Sequence, residues 1–132
     1  MAWVAARIKT IMLVSGVLTC SGFYALFAPQ AAVAGTYGAA LDGPIADVIV
    51  RNWGALIGTI GLMLIYGAYR PAVRPLVLTA GAGSKLVFIS LVLSHGSRFL
   101  AQPVRVSLAV DLLMVGLFLV WLSGRGRDFR AG

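Results

Sequence analysis

The sequence predicts an all-α integral membrane protein, a four-helix up-down bundle with its N- and C-termini on the cytoplasmic side. Hydrophobic residues make up 60% of the 132 residues and charged residues only 11%, well below the roughly 25% charged residues of an ordinary soluble domain. The apolar residues fall into four runs, each long enough to cross a bilayer core of ~30 Å. Residues 1–132 are therefore expected to form a single transmembrane domain.

The lysines and arginines predict the orientation, because positively charged loops stay in the cytoplasm. Seven of them are expected on the cytoplasmic side: Arg7, Lys9, Arg70, Arg74, Arg125, Arg127 and Arg130. Three lie near the external side: Arg51, Arg98 and Arg105. The net charge of +7 is spread over loops and forms no basic stripe on a soluble face, so we expect no nucleic-acid partner.

The first helix is predicted at about residues 8–28 and ends before Pro29. Its apolar run, residues 11–28, is longer than the roughly 7–15 residues of a signal-peptide core, so we expect a retained helix. Residues 29–43 follow as an external loop, because they are rich in alanine and glycine and contain no lysine or arginine.

The second helix is predicted at about residues 44–69, with Pro44 at the first helical position, where proline is favoured. Asp47 and Arg51 lie four residues apart with the acid first, which is the favourable order for an ion pair along a helix.

Three glycines continue the same face of the second helix: Gly54, Gly58 and Gly61. Small residues in such a stripe let a second helix approach closely in a membrane. The stripe is therefore expected to be a helix-packing face, either within the chain or toward another protein.

The remaining chain is divided by prolines, arginines and apolar runs. Residues 69–75 contain two prolines and two arginines, and a cytosolic turn is predicted at residues 70–74. The elements expected after this turn are a third helix at about 75–93, an external loop at 94–103, a fourth helix at about 104–122 and a cytosolic tail at 123–132.

Two charged residues lie inside the apolar helices. Lys85 is about ten residues from either end of the third helix, and Asp111 is about seven residues into the fourth. A charge at such depth costs several kcal/mol unless it is paired or hydrated, so we predict an ion pair. The pair could only fix helix register, or it could belong to a pocket that binds a molecule or carries protons. The candidate pocket comprises Asp47, Arg51, Asn52, Lys85, Ser107 and Asp111.

His95 is the only histidine of the chain. One imidazole could hold a single pigment or a haem with one axial ligand, although a histidine in an interfacial turn is more commonly hydrated. The sequence contains no H-E-x-x-H and no paired cysteines, and no other catalytic motif is recognisable. We therefore predict no metal and no catalytic residue, and a bound lipid or quinone is the cofactor that we consider.

Three stretches resemble the DoxX-like group of small bacterial membrane proteins. Residues 51–56, Arg-Asn-Trp-Gly-Ala-Leu, are similar to its Arg-x-x-Gly-Ala opening of a glycine-rich helix. Residues 97–103 resemble its Arg-then-Gly-Gln-Pro turn, with Ala101 in place of glycine. Asp111 resembles a membrane-embedded acid of the group, with aspartate in place of glutamate. The resemblance implies four helices and an inner-membrane location.

Three functions are compatible with these features. The first is a non-enzymatic accessory or interaction subunit that packs its glycine stripe against other transmembrane helices, in its own oligomer or in a larger complex. The alternative is a binder or carrier of an apolar small molecule, such as a lipid or quinone, beside Lys85 and Asp111. A redox or thiol-linked enzyme is suggested only by analogy with relatives, and the lone Cys20 argues against self-contained dithiol chemistry.

Overall fold

The structure, a computed structural model, describes residues 2–95 and 100–131, with side chains of the last helix described as far as Gly124. Every element in these ranges is helical: α1 (Ala2–Cys20), α2 (Phe23–Phe27), α3 (Pro29–Tyr37), α4 (Pro44–Tyr69), a 3₁₀ turn (Pro71–Val73), α5 (Arg74–Ser94) and α6 (Val104–Ala131). This confirms the all-α class.

Four helical segments of the described chain are long and apolar enough to cross a membrane: Ala2–Phe27, Pro44–Tyr69, Pro71–Ser94 and Val104–Gly124. Large apolar side chains cover their outer surfaces. Phe27, Ile45 and Leu76 are each more than two-thirds exposed. Contiguous apolar surface of this kind is a liability in water and is the normal solvent-facing surface in lipid. The chain is therefore a multi-pass membrane protein.

The loop predicted at residues 29–43 is wrong over its first nine residues, because helix α3 occupies Pro29–Tyr37. Pro29 stands at the first helical position, where its missing N–H leaves no bond unmade. The alanines that follow are strong helix formers. Gly38 ends the helix with φ of 73°, a left-handed conformation that glycine adopts without steric cost.

The first and last helices are longer than the sequence predicts. Helix α1 begins at Ala2 rather than near residue 8. Helix α6 runs through most of the predicted tail, residues 123–132, and reaches Ala131. No proline interrupts either extension. The added residues of α1 include Ala2, Ala5 and Ala6, and alanine is the strongest helix former.

The first span changes its hydrogen bonding between α1 and α2. The N–H groups of Ser21 and Gly22 donate to the carbonyls of Leu18 and Thr19, at 3.2 and 3.0 Å. These bonds reach back three residues rather than four, which tightens the helix locally. The residues after this turn, which form α2, pack against α4.

Helices α1 and α4 approach each other through glycine. A Cβ atom placed on Gly61 would lie 2.6 Å from the backbone nitrogen of Cys20 and 2.8 Å from the carbonyl oxygen of Gly16. One on Gly54 would lie 2.7 Å from the carbonyl oxygen of Gly22, and one on Gly58 would meet the ring of Phe23. The predicted glycine stripe is therefore a packing face whose partner is the chain's own first span.

One apolar core joins all four spans. Its buried residues come from the first part of α1, the last part of α4, the first part of α5 and the middle of α6. We call this the shared core: Val4, Ile8, Ile11, Met12, Leu64, Ala68, Val77, Leu78, Ala82, Met114 and Phe118.

Beyond the shared core, the buried apolar residues separate into two groups. The α5–α6 cluster comprises Ile89, Val92, Val104, Leu108 and Val115. The α3 cluster comprises Ala25, Ala32, Val33 and Val50, from α2, α3 and α4. The four spans are thus packed together at the level of the shared core. At another level they separate into two helix pairs, the first span with α4 and α5 with α6. Between these pairs lies the site described below.

We predict that Gly61→Ala lowers the free energy of unfolding by about 1–3 kcal/mol, the usual cost of overpacking. The added methyl group meets backbone atoms of α1, which cannot move aside as a side chain does. The measurement is unfolding in mixed micelles with increasing sodium dodecyl sulfate, followed by circular dichroism.

Gly83→Ala in α5 is the matched control, since nothing lies within 4 Å of a Cβ atom there. It should leave stability unchanged or raise it by up to about 1 kcal/mol through helix propensity. Equal losses for the two variants would contradict the close α1–α4 contact.

Candidate intramembrane binding site

A cavity of about 1040 Å³ lies between the two helix pairs, where the buried residues separate into two clusters. Its walls are mostly apolar side chains from all four spans and from α3. Ile60, Met63 and Met114 line it on the side of the shared core. Lys85 and Asp111 are the charged residues on its walls within the described chain. The cavity therefore combines mostly apolar walls with one pair of charged side chains.

Lys85 and Asp111 form the ion pair that the sequence predicts. Lys85 Nζ donates to Asp111 Oδ1 at 2.9 Å. The side chains of Lys85 and Asp111 are 9% and 18% exposed, so the pair lies in a largely dehydrated environment. Two opposite charges in contact offset much of the cost of placing either one in a membrane. The pair also ties α5 to α6.

Thr19 joins the pair from the first span. Its Oγ1 accepts a hydrogen bond from Lys85 Nζ at 3.2 Å and donates one to the carbonyl oxygen of Ser15 at 2.6 Å. Because the Thr19 hydroxyl donates its proton to Ser15, the lone pairs of the hydroxyl oxygen are available to the ammonium group of Lys85. Lys85 therefore holds three spans together, through Thr19 on α1 and Asp111 on α6.

The ion pair leaves hydrogen-bonding capacity unused. An ammonium group has three N–H donors, and two of those on Lys85 have partners among the described residues. A carboxylate has two oxygens, and only Oδ1 of Asp111 has a hydrogen-bond partner in the described chain. The site can therefore offer one further donor and one further acceptor to a molecule in the cavity.

Polar residues also line the cavity away from the pair. Ser84 and Ser107 lie on its walls beside Lys85 and Asp111 in sequence, and Trp53 and His95 line it as well. Ten residues separate His95 from Lys85 along α5, which corresponds to ~15 Å of helix. The cavity is thus long in the direction of the helices.

Helix α3 covers part of the cavity. Tyr37 packs against both the α5–α6 cluster and the α3 cluster, and it lines the cavity together with Thr36. Burial raises the pKa of the Tyr37 phenol above its ordinary value, so the ring is neutral at physiological pH. Gly38, the next residue, lies against the end of the Gln102 side chain, which a Cβ atom on Gly38 would displace. Both contacts bridge the two helix pairs.

Asp47 and Arg51 form a second polar site, separate from the cavity. Arg51 Nε donates to Asp47 Oδ2 at 2.9 Å, and a terminal nitrogen of Arg51 donates to the carbonyl oxygen of Leu26 at 2.6 Å. Leu26 lies near the end of α2, where Pro29 interrupts the helix and leaves carbonyls without helical partners. Arg51 supplies the missing donor. Asn52 is exposed.

The structure therefore divides the six-residue pocket that the sequence predicts. It brings together Lys85, Ser107 and Asp111 on the cavity wall. Asp47, Arg51 and Asn52 are not among the residues that line this cavity, because Arg51 extends toward the end of α2 rather than toward α5. The six residues are predicted to share a pocket because they lie near the same end of the spans, but this position alone does not bring their side chains together.

His95 is exposed at the end of α5, and its Nδ1 lies 2.9 Å from the carbonyl oxygen of Leu91. No group of three His, Cys, Asp or Glu side chains that could hold a metal ion occurs in the described part of the chain. The haem or pigment role of His95 stays a prediction without support from a second ligand.

The sequence did not single out Thr19 or Tyr37 as site residues. A threonine in an apolar helix commonly hydrogen-bonds to the backbone of its own helix, as Thr19 does. Its sequence position therefore gives no sign of the second hydrogen bond, from Lys85. Tyr37 lies in a segment that the sequence predicts to be a loop.

Residues 97–99 of the turn that resembles the DoxX-like group, with Arg98, lie outside the described residues.

Comparisons of the chain with models of known protein families, with curated proteins and with solved structures find no match.

We predict that Lys85→Met and Asp111→Asn each lower the free energy of unfolding by about 3 kcal/mol or more, since each leaves one buried charge without its partner. The double variant should recover most of this loss because no unpaired charge remains. Unfolding in mixed micelles measures all three variants.

The matched control is Asp47→Asn, which breaks the other ion pair. Its side chains are 43% and 33% exposed, and exposed pairs contribute at most about 1 kcal/mol. A double variant less stable than both single variants would show that Lys85 and Asp111 do not stabilise each other.

Proposed function

We propose that the protein binds a small, largely apolar molecule in the cavity between its helix pairs and holds the polar head of that molecule at Lys85 and Asp111. The observation that carries the proposal is the cavity beside the buried ion pair. A pair that serves only helix register needs no space next to it, because close packing around it lowers the energy further. Here the polar groups face open volume.

The size of the cavity supports a ligand with a substantial apolar body. Ligand sites of proteins are commonly about 300–1000 Å³, and this cavity of about 1040 Å³ lies at the upper end. Its apolar walls suit an acyl or isoprenoid chain, and its single charged pair suits one polar head. A lipid or a quinone has this composition.

We further propose that the spans run up and down through a bacterial inner membrane with both termini in the cytoplasm. The distribution of lysine and arginine supports this orientation. The resemblance of residues 51–56 and Asp111 to the DoxX-like group supports the location. In this orientation α3 lies on the external side, and the cavity opens toward the outer leaflet.

The orientation predicts opposite labelling of two exposed positions, Gln30 in α3 and Ser123 in α6. In a Cys20→Ala background, a membrane-impermeant maleimide should modify Gln30→Cys in intact cells. It should modify Ser123→Cys only after the membrane is permeabilised. The reverse pattern would overturn the orientation.

Mild-detergent purification followed by native mass spectrometry tests the binding function. We expect a small molecule to remain bound to the protein at one copy per chain and to be released when the protein unfolds. Its mass and fragmentation identify it.

The control is Val110→Phe, which enlarges a partly buried side chain on the cavity wall one residue before Asp111. This variant should lose most of the bound molecule and keep its helical content. Retention of the same molecule at the same occupancy would place it outside the cavity.

Packing with other transmembrane proteins is the second candidate. The stripe of Gly54, Gly58 and Gly61 is occupied by the first span, so it does not support this function. Gly83 on α5 and Gly116 on α6 do, since nothing lies within 4 Å of a Cβ atom at either position and small residues allow close helix approach. In the same spectra, a stable oligomer or a protein partner in place of a small molecule would favour this candidate.

A further inference from the structure

We infer that the molecule bound in the cavity is uncharged and that its head both accepts and donates hydrogen bonds, as an alcohol, a phenol or a carboxamide does. This inference rests on the proposed binding function and narrows its ligand class. It follows from the charge balance of the site and from the hydrogen-bonding groups that remain unused there.

The charges on the cavity wall cancel. Lys85 contributes one positive charge and Asp111 one negative charge, and they are in contact at 2.9 Å. Both lie within membrane-spanning helices, where a net charge costs several kcal/mol. A charged ligand would add an unbalanced charge to a site that is already neutral.

A charged head would also compete with the existing pair. A carboxylate at Lys85 would draw the ammonium group from Asp111 and leave that carboxylate without its partner. An ammonium head at Asp111 would do the same to Lys85. Because loss of one partner from a buried pair is strongly unfavourable, the site opposes ligands of either sign.

The unused groups select for an uncharged polar head. Lys85 has one N–H, and Asp111 has Oδ2, without a hydrogen-bond partner among the described residues. A hydroxyl group can accept from the first and donate to the second at the same time. It thereby satisfies both without disturbing the ion pair.

Ser84 and Ser107, the polar residues of the cavity wall nearest to the pair in sequence, carry no charge and do not change this selection. His95 lies ten residues from Lys85 along α5, ~15 Å away, and Tyr37 covers the cavity from α3. Thr19 is the other described hydrogen-bond partner of Lys85 Nζ, and it is neutral.

The test uses three probes that share one brominated alkyl chain and carry an alcohol, a carboxylate or an ammonium head. Bromine quenches tryptophan fluorescence at short range, and Trp53 lines the cavity. Binding is measured in nanodiscs with Trp3→Phe and Trp121→Phe, so that Trp53 is the only tryptophan, at a pH at which the carboxylate is ionised. Quenching in the same protein with Val110→Phe is subtracted as bilayer background.

We expect the alcohol to bind at least about tenfold more tightly than the carboxylate or the ammonium probe, given the cost of an unbalanced charge in the membrane. A carboxylate or ammonium probe that binds as tightly as the alcohol would overturn the inference and leave the binding function intact. Quenching by all three probes no greater than the bilayer background would instead count against the proposed binding function itself.

Two variants should switch the preference. Asp111→Asn leaves Lys85 unpaired and should favour the carboxylate probe by about tenfold or more, because the ligand now supplies the missing negative charge. Lys85→Gln should favour the ammonium probe in the same way, and it keeps the test open if Asp111→Asn does not fold. Asp47→Asn, outside the cavity, should keep the preference for the alcohol. If neither cavity variant folds, the ranking of the three probes on the wild-type site decides.

Discussion

The close approach of α1 to α4 is the contact on which the remaining architecture depends. Gly61 allows backbone of one helix to meet backbone of the other, with no room for even a methyl group. Lipid supplies no hydrophobic drive for helices to associate, so van der Waals contact of this quality carries much of the association in a membrane. Once the glycines are committed to the first span, α4 has only its other faces to present to α5 and to the lipid.

This packing of the α4 glycines against the first span explains why side chains fill the interior at one level of the structure and leave a cavity at another. The shared core brings all four spans together through bulky side chains such as Phe118 and Leu64, each fully buried. Further along the helices the α3 cluster and the α5–α6 cluster pack separately, and the volume between them is not filled by side chains. The hydrogen bond from Lys85 to Thr19 crosses this region and joins the two pairs, whereas the bond from Lys85 to Asp111 ties α5 to α6.

Composition and periodicity were sufficient to predict the helical class, the four spans and the partnership of Lys85 with Asp111, because lipid penalises isolated charges and unpaired backbone groups so strongly. They were not sufficient to predict the neighbours of Arg51. A side chain that long can reach several acceptors. The acceptor that it reaches, the carbonyl oxygen of Leu26, lacks a partner within a helix only because α2 ends there. Likewise the sequence predicts that a helix ends before Pro29, and Pro29 also begins the next one.

The bond from Arg51 to Leu26 has a consequence for the order in which the chain assembles. In a bilayer a carbonyl without a donor costs several kcal/mol, and α2 cannot provide that donor from its own backbone. The first span therefore reaches its final hydrogen-bonded state only after the second has been synthesised and inserted beside it. We expect the first two spans to mature as a hairpin connected by α3 and residues 38–43, and the last two spans to pack against this hairpin afterwards.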